Sequence, residues 1–137
     1  MKKILLCYDG SDSATIAFDF AVDLASRFDA SLQVLAVARP PDVADDVETE
    51  AEIERASEHF EQGFRRLEDR ARAAGIAPKF EVLVGHPAHR IVDFAESNEI
   101  DHIVLGHRGK TFFERWRLGS VSKQVIHYAH CTTTVVR

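Results

Sequence analysis

From residue 105 the chain reads Leu105-Gly106-His107-Arg108-Gly109-Lys110-Thr111-Phe112-Phe113-Glu114-Arg115-Trp116-Arg117-Leu118-Gly119-Ser120-Val121-Ser122. This stretch leaves an apolar run, Ile100 to Leu105, that reads as a buried strand. It then enters a helical pattern from about Ser120 to Ala129. A strand that feeds a glycine-rich loop and then a helix is the repeating unit of a parallel α/β sheet, with the loop at the strand's carboxyl end. Glycine lets the backbone take φ > 0 and approach a ligand with no Cβ in the way. Ser120 opens the helix, where unpaired N–H groups and the dipole favour an anion. The serine hydroxyl adds a donor, and Arg108 or Lys110 could offset the anion's remaining charge.

Outward from this loop, apolar β-rich runs alternate with helical patterns. Ile4 to Tyr8 is nearly continuous in apolar residues, as expected of a parallel strand buried on both faces. Asp9-Gly10-Ser11-Asp12-Ser13 breaks it with turn and helix-capping residues. Ala17, Phe20, Ala21, Leu24 and Phe28 recur at three-to-four spacing and predict the inner face of an amphipathic helix. Leu32 to Ala38 is the second strand, ended by Arg39-Pro40-Pro41. The acidic stretch from Asp42 to Thr49 has little to bury and reads as a mobile loop. A long helix from about Glu50 to Ala74 places Ile53, Phe60, Phe64, Leu67 and Ala71 on one face, with Gly75 as its stop. Phe80 to Val84 is strand three. Pro87 then suits the first turn of a short helix carrying Ile91, Phe94 and Ala95. Thr132 to Val136 closes the order βαβαβαβαβ. Right-handed crossovers between parallel strands make a three-layer, doubly wound sandwich. Ligands in such sheets sit where the winding reverses. The first and fourth strands are the expected neighbours there, so Asp9 and Gly106 should face one crevice.

Charge and composition limit the partners. The 137 residues fit one domain, with 45% hydrophobic and 28% charged. Lys and Arg number 17 against 22 Asp and Glu, a net charge of -5. That sign argues against nucleic acid as a partner. Arg108, Lys110, Arg115 and Arg117 face only Glu114, and such a local basic cluster points to a small anionic ligand. Two isolated cysteines, Cys7 and Cys131, make no disulfide framework. The apolar run at Ile4 to Leu6 is too short for a signal peptide, and no stretch approaches the ~20 residues needed to span a bilayer. The expected location is the cytoplasm, with no membrane insertion.

A glycine, two residues, a second glycine, nine residues, then Gly-Ser resembles, without a gap, the nucleotide-binding motif of the ATP-binding, UspA-like class of universal stress proteins. The resemblance extends over nearly the whole chain. It includes the aliphatic first strand ending in Asp9, the run Gly85-His86-Pro87-Ala88, and the closing strand Thr132 to Val136. It implies a single domain over residues 1–137 with an adenine nucleotide alpha hydrolase-like fold: a five-stranded parallel sheet of order 3-2-1-4-5. It implies ATP, or AMP or ADP, as ligand. Asp9 would bond the ribose or sit near a phosphate-bound Mg²⁺, and Val37 would pack on the adenine. Leu105 and Gly106 would line base and ribose. Arg108, Gly109, Gly119, Ser120 and Val121 would hold the phosphates, with Ser122 a further candidate. The resemblance also implies a homodimer and a nucleotide-dependent switch, read by a regulatory protein partner in the stress response. The rival is an interaction module of the same fold that binds no nucleotide. Two positions depart from the family's habit: Thr132 follows Cys131 where a proline is common, and Cys7 stands where a proline often precedes the Asp by two. The first bears on dimer formation through strand five, the second on contact with the base.

Other motifs fail on spacing. Gly109-Lys110-Thr111 resembles the end of a Walker A loop, but the required glycine at 104 is Val104. After Asp9 only Gly10 appears, so the dinucleotide fingerprint G-x-G-x-x-G is absent. His127 and His130 are three apart on the last helix, as are His86 and His89 further up the chain, but neither pair has a full ligand set for a metal. Glu114 and His107 are the loop residues that could act as a base, and no spacing fixes them beside a phosphate. Any turnover of ATP is expected to be slow and incidental.

Overall fold

The computed structural model describes residues 1–39, 50–107 and 118–137. Among them, five strands alternate with four helices. In chain order these are β1 (Lys3–Cys7), α1 (Asp12–Phe28), β2 (Ser31–Ala38), α2 (Glu50–Ala73) and β3 (Lys79–Val84), followed by α3 (Pro87–Ser97), β4 (His102–Gly106), α4 (Ser120–Tyr128) and β5 (Thr132–Val136). The stretch 42–49, read as a loop, lies outside the described residues, and so do residues 108–117 of the glycine-rich segment.

The strands form one sheet in the order β3-β2-β1-β4-β5, with every pairing parallel. The winding reverses between β1 and β4, where Leu6 pairs with Val104. Strand β1 is central and covered on both faces, and its apolar run has no alternation because neither face meets water. Ile4 and Leu6 point into the cluster under α1 and α2. Leu5 points into the opposite cluster with Ile91, Ile103, Leu105 and Val125, under α3 and α4.

The buried stripe of α1 is Ala14, Ala17, Phe18, Ala21, Val22 and Ala25. Phe20 and Phe28, expected on the inner face, are instead 39% and 55% exposed. The alanines let the helix axis approach the sheet closely, and the two phenylalanines fall one step round the helix from that stripe. The inner face of α2 is as expected: Phe60, Leu67 and Ala71 are buried, and Phe64 packs against the same cluster.

Three helices end in the same hydrogen-bond pattern, a left-handed residue followed by an N–H that reaches back five residues. Ala30 donates to Ala25 (2.9 Å), Ile76 to Ala71 (3.0 Å) and Ile100 to Ala95 (2.8 Å). Gly75 takes φ 73° at no cost in side-chain sterics, whereas Asp29 (51°) and Glu99 (54°) hold L side chains there. Glu99→Gly should therefore stabilise the protein. Relief of the left-handed strain is worth roughly 1 kcal/mol, part of it offset by the greater freedom of glycine in the unfolded chain. The Lys3–Glu99 pair, 3.8 Å apart with both side chains well exposed, contributes little. The expected outcome is a melting temperature about 2 °C higher by calorimetry.

Candidate functional site

At the carboxyl ends of β1, β2 and β4 the chain encloses a cavity of about 400 Å³. That lies within the range of roughly 300–1,000 Å³ usual for small-molecule sites. The end of β1 contributes Cys7, Tyr8 and Asp9, and β2 contributes Leu35, Val37 and Ala38, followed by Arg39. Leu105 and Gly106 come from β4, Pro87 and Ile91 from α3, and Gly119, Val121 and Ser122 from the start of α4. Most of the lining is apolar, and its polar side chains come from Tyr8, Asp9, Ser11, Arg39, His59 and Ser122.

The turn after β1 is built by local hydrogen bonds. Gly10 adopts φ 84°. The Asp9 Oδ1 accepts the Ser11 N–H at 3.0 Å. The Ser11 Oγ accepts the Ala14 N–H at 3.1 Å, capping α1. Asp9-Gly10-Ser11 is thus a turn and a helix cap, and it also forms one wall of the cavity.

Gly106 has a different reason from the one its loop suggested. It is the last residue of β4 and does not take a left-handed φ. A Cβ there would stand 2.6 Å from the Ser13 carbonyl oxygen and 2.9 Å from the Ala14 backbone nitrogen. The missing side chain lets the end of β4 pack against the first turn of α1. The same turn of α1 is capped by Ser11, which also donates to Asp9.

Helix α4 begins as read, at Ser120, but Gly119 is its N-cap (φ -61°, ψ 154°) and has no side chain to cap with. Helix geometry leaves the first-turn N–H groups of Ser120, Val121 and Ser122 without intrahelical partners. The Lys123 N–H is the first to close back, on the Gly119 carbonyl at 3.0 Å. The Ser120 side chain is exposed and does not line the cavity, whereas Ser122 is 5% exposed and does. Of the expected contact residues, Asp9, Val37, Leu105, Gly106, Gly119, Val121 and Ser122 therefore share one cavity. Arg108 and Gly109, with Lys110, Glu114 and the aromatic residues Phe112, Phe113 and Trp116, lie outside the described residues.

Sequence reasoning missed the wall made by α2. His59 and Phe60 line the cavity beside Tyr8. Phe60 meets Tyr8 edge-on with centroids 6.3 Å apart and stacks on Phe64 at 6.0 Å. One signal was available: a glycine at 63 within a long helix. A Cβ on Gly63 would come within 2.6 Å of the Tyr8 hydroxyl, so the glycine makes room for that ring.

Burial pushes the Cys7 thiol well up from its ordinary range, and the nearby Asp9 charge adds to the shift. Cys7 is therefore a neutral thiol in the cavity wall and not a nucleophile. His107 is 5% exposed and does not line the cavity; its Nε2 is enclosed with no hydrogen-bond partner among the described residues. Its N–H donates to the Val136 carbonyl at 2.7 Å, tying the end of β4 to β5. His102 sits 2.7 Å from the Thr134 Oγ1, and burial lowers its pKa. His130 lies beyond the end of α4 and so does not share a helix face with His127; it pairs with Glu96 at 3.2 Å. Among the described residues no group of three or more His, Cys, Asp or Glu is placed to hold a metal ion, and no helix is long and apolar enough to cross a membrane.

The family model of the universal stress proteins matches residues 1–137. A universal stress protein of Methanocaldococcus jannaschii is 37% identical, the match covering 99% of this chain and 82% of that protein. Among solved structures, the universal stress protein UspA of Lactobacillus plantarum is 33% identical with a TM-score of 0.80, covering 99% of this chain and 97% of that one. A universal stress protein solved in complex with cAMP is 26% identical with a TM-score of 0.77, at the same coverages. Sheet order, the crevice between β1 and β4, and a family match from the first residue to the last agree: the chain belongs to the universal stress protein family.

Proposed function

We propose that this chain binds an adenine nucleotide, ATP foremost with AMP or ADP as alternatives, and acts as a nucleotide-dependent regulator in the cytoplasmic stress response. The observation that carries the reading is the cavity at the β1/β4 crossover. It has a mostly apolar lining and a volume suited to a small molecule, and the amino end of α4 stands at one side. A 26% identical family member solved with cAMP supports the ligand class. In this reading the base packs on Val37 and Leu105, and Asp9 accepts from the ribose hydroxyls. The α4 N–H groups and the Ser122 hydroxyl donate to the phosphates, where the helix dipole lowers the energy of negative charge. Arg108 and Gly109 complete the phosphate contacts, and Mg²⁺ bound through the phosphates is held near Asp9. Bound nucleotide changes the surface at the mouth of the cavity, and a partner protein reads that surface.

Titration with ATP and Mg²⁺ in a calorimeter tests the reading. The expected result is saturable heat, with stabilisation of about 2.7 kcal/mol at a free nucleotide concentration of one hundred times Kd. No heat and no thermal shift at millimolar nucleotide would overturn it.

A second reading, an interaction module that binds no nucleotide, draws on the outer flank of α1. Ile16, Phe20 and Phe28 are exposed there at four-residue spacings, with Leu24 half-buried between them. Asp19 pairs with Arg70 of α2 on the other flank, so this stripe faces the β5 side. Among the described residues strand β5 pairs with β4 alone and forms an edge of the sheet, the kind of strand through which copies can pair. A homodimer through that edge is compatible with both readings. Self-association without any nucleotide response favours the second.

A further inference from the structure

We propose that His59 and Arg39 form a base-reading rim at the α2 end of the cavity, and that His59 sets affinity for the purine and not for the phosphates. This rests on the nucleotide reading of the same cavity. Strands β2 and β4 flank β1 on opposite sides. The ends of β2 and β4 are therefore two strand spacings apart, about 10 Å, and the cavity that spans them is lined by Arg39, just past β2, and by Gly119 at the start of α4. With phosphates held at α4, the far end of a nucleotide, its base, comes to lie at the β2 side. The lining there includes Leu35, Val37, Ala38 and Phe60, with Tyr8, Arg39 and His59 as the side chains that carry donors.

Arg39 and His59 both offer N–H donors, a guanidinium always and a neutral imidazole from one ring nitrogen. A purine edge presents ring nitrogens that accept. His59 is exposed, and its ring stands edge-on to that of Phe60 at 4.9 Å. Phe60 is 7% exposed between Tyr8 and Phe64. Histidine has only two side-chain torsions to order on binding, so a hydrogen bond from His59 on this wall appears in the affinity.

The test is calorimetric titration of the wild type, His59→Ala and His59→Gln with three probes: ATP, AMP and the base-free ribose 5-phosphate. His59→Ala is expected to weaken ATP and AMP by the same factor, about five- to tenfold. Ribose 5-phosphate binding stays unchanged, and His59→Gln, which keeps a donor, recovers part of the loss. His59 is on an exposed face of α2, and an unaltered melting curve without ligand confirms that the variant folds. Unchanged AMP affinity in His59→Ala overturns the inference and leaves the nucleotide reading standing. A loss that grows from AMP to ATP, or that extends to ribose 5-phosphate, reassigns His59 to the phosphates and also overturns it. A wild type that binds none of the three probes removes the nucleotide reading and the inference together.

Discussion

Gly106→Ala is expected to destabilise the protein by about 2–3 kcal/mol, a large effect for the addition of one methyl group. The new Cβ would lie 2.6 Å from the Ser13 carbonyl oxygen, 2.7 Å from its carbon and 2.9 Å from the Ala14 nitrogen. These are backbone atoms in the first turn of α1, so no side chain can swing aside. Either β4 or α1 must move, and both carry walls of the cavity. Displacing α1 shifts the Asp9 turn, because Ser11 is at once its hydrogen-bond donor and the cap of that helix. Nucleotide affinity should therefore fall by more than tenfold in the fraction that remains folded. Gly10→Ala is the control. Gly10 has φ 84° and no atom of the described residues within 4 Å of where a Cβ would go, so its cost is that of the backbone, roughly 1 kcal/mol. Urea denaturation of the two variants separates the causes. If Gly106→Ala has the midpoint of the wild type, the close approach of β4 to α1 does not govern this end of the fold.

The contrast between these two glycines shows what could be read from the chain alone. Apolar runs without alternation reveal parallel buried strands, because a strand covered on both faces has no polar side to display. Pro87 and Gly75 mark a helix start and a helix end through backbone constraints that hold in any fold, and α3 begins at Pro87 as read. Long-range contacts leave no such local mark. Gly106 is a glycine because of Ser13, ninety-three positions earlier, and nothing near residue 106 says so. The α2 wall escaped for the same reason. The spacing of Phe60, Phe64, Leu67 and Ala71 tells which face of α2 is buried, but not that its amino-terminal half meets Tyr8 and the cavity. On α1 the periodicity was clear, yet the sheet selected the alanine-rich stripe over the phenylalanines next to it. Small residues allow a closer approach than hydropathy alone would choose. Ser120 and Ser122 illustrate a finer limit: both lie at the start of α4, but a rotation of two residues decides that Ser122 faces the cavity and Ser120 faces solvent.

Gly119→Asp is the change for which stability and binding should move in opposite directions. Gly119 is the N-cap of α4, with extended backbone angles that any L residue adopts and no side-chain hydrogen bond to the first turn. An aspartate there can accept from the free N–H groups of the first turn and place its charge at the positive end of the helix dipole. The ligand-free protein should gain a few tenths of a kcal/mol, since glycine is already a tolerable N-cap. Gly119 also lines the cavity, so the same carboxylate would occupy the donors assigned to the nucleotide phosphates and set a negative charge beside them. Juxtaposed like charges cost several kcal/mol, and a loss of about 3 kcal/mol corresponds to more than a hundredfold in Kd. Thermal melting with and without ATP and Mg²⁺ reads both effects in one experiment. The variant should melt at or slightly above the wild type when ligand-free and show no upward shift with nucleotide. A purely structural disturbance at residue 119 would lower both curves together. A variant that keeps the full ATP-induced shift would mean the phosphates are not held at the amino end of α4, because a carboxylate cannot share those N–H groups with a polyphosphate at wild-type affinity.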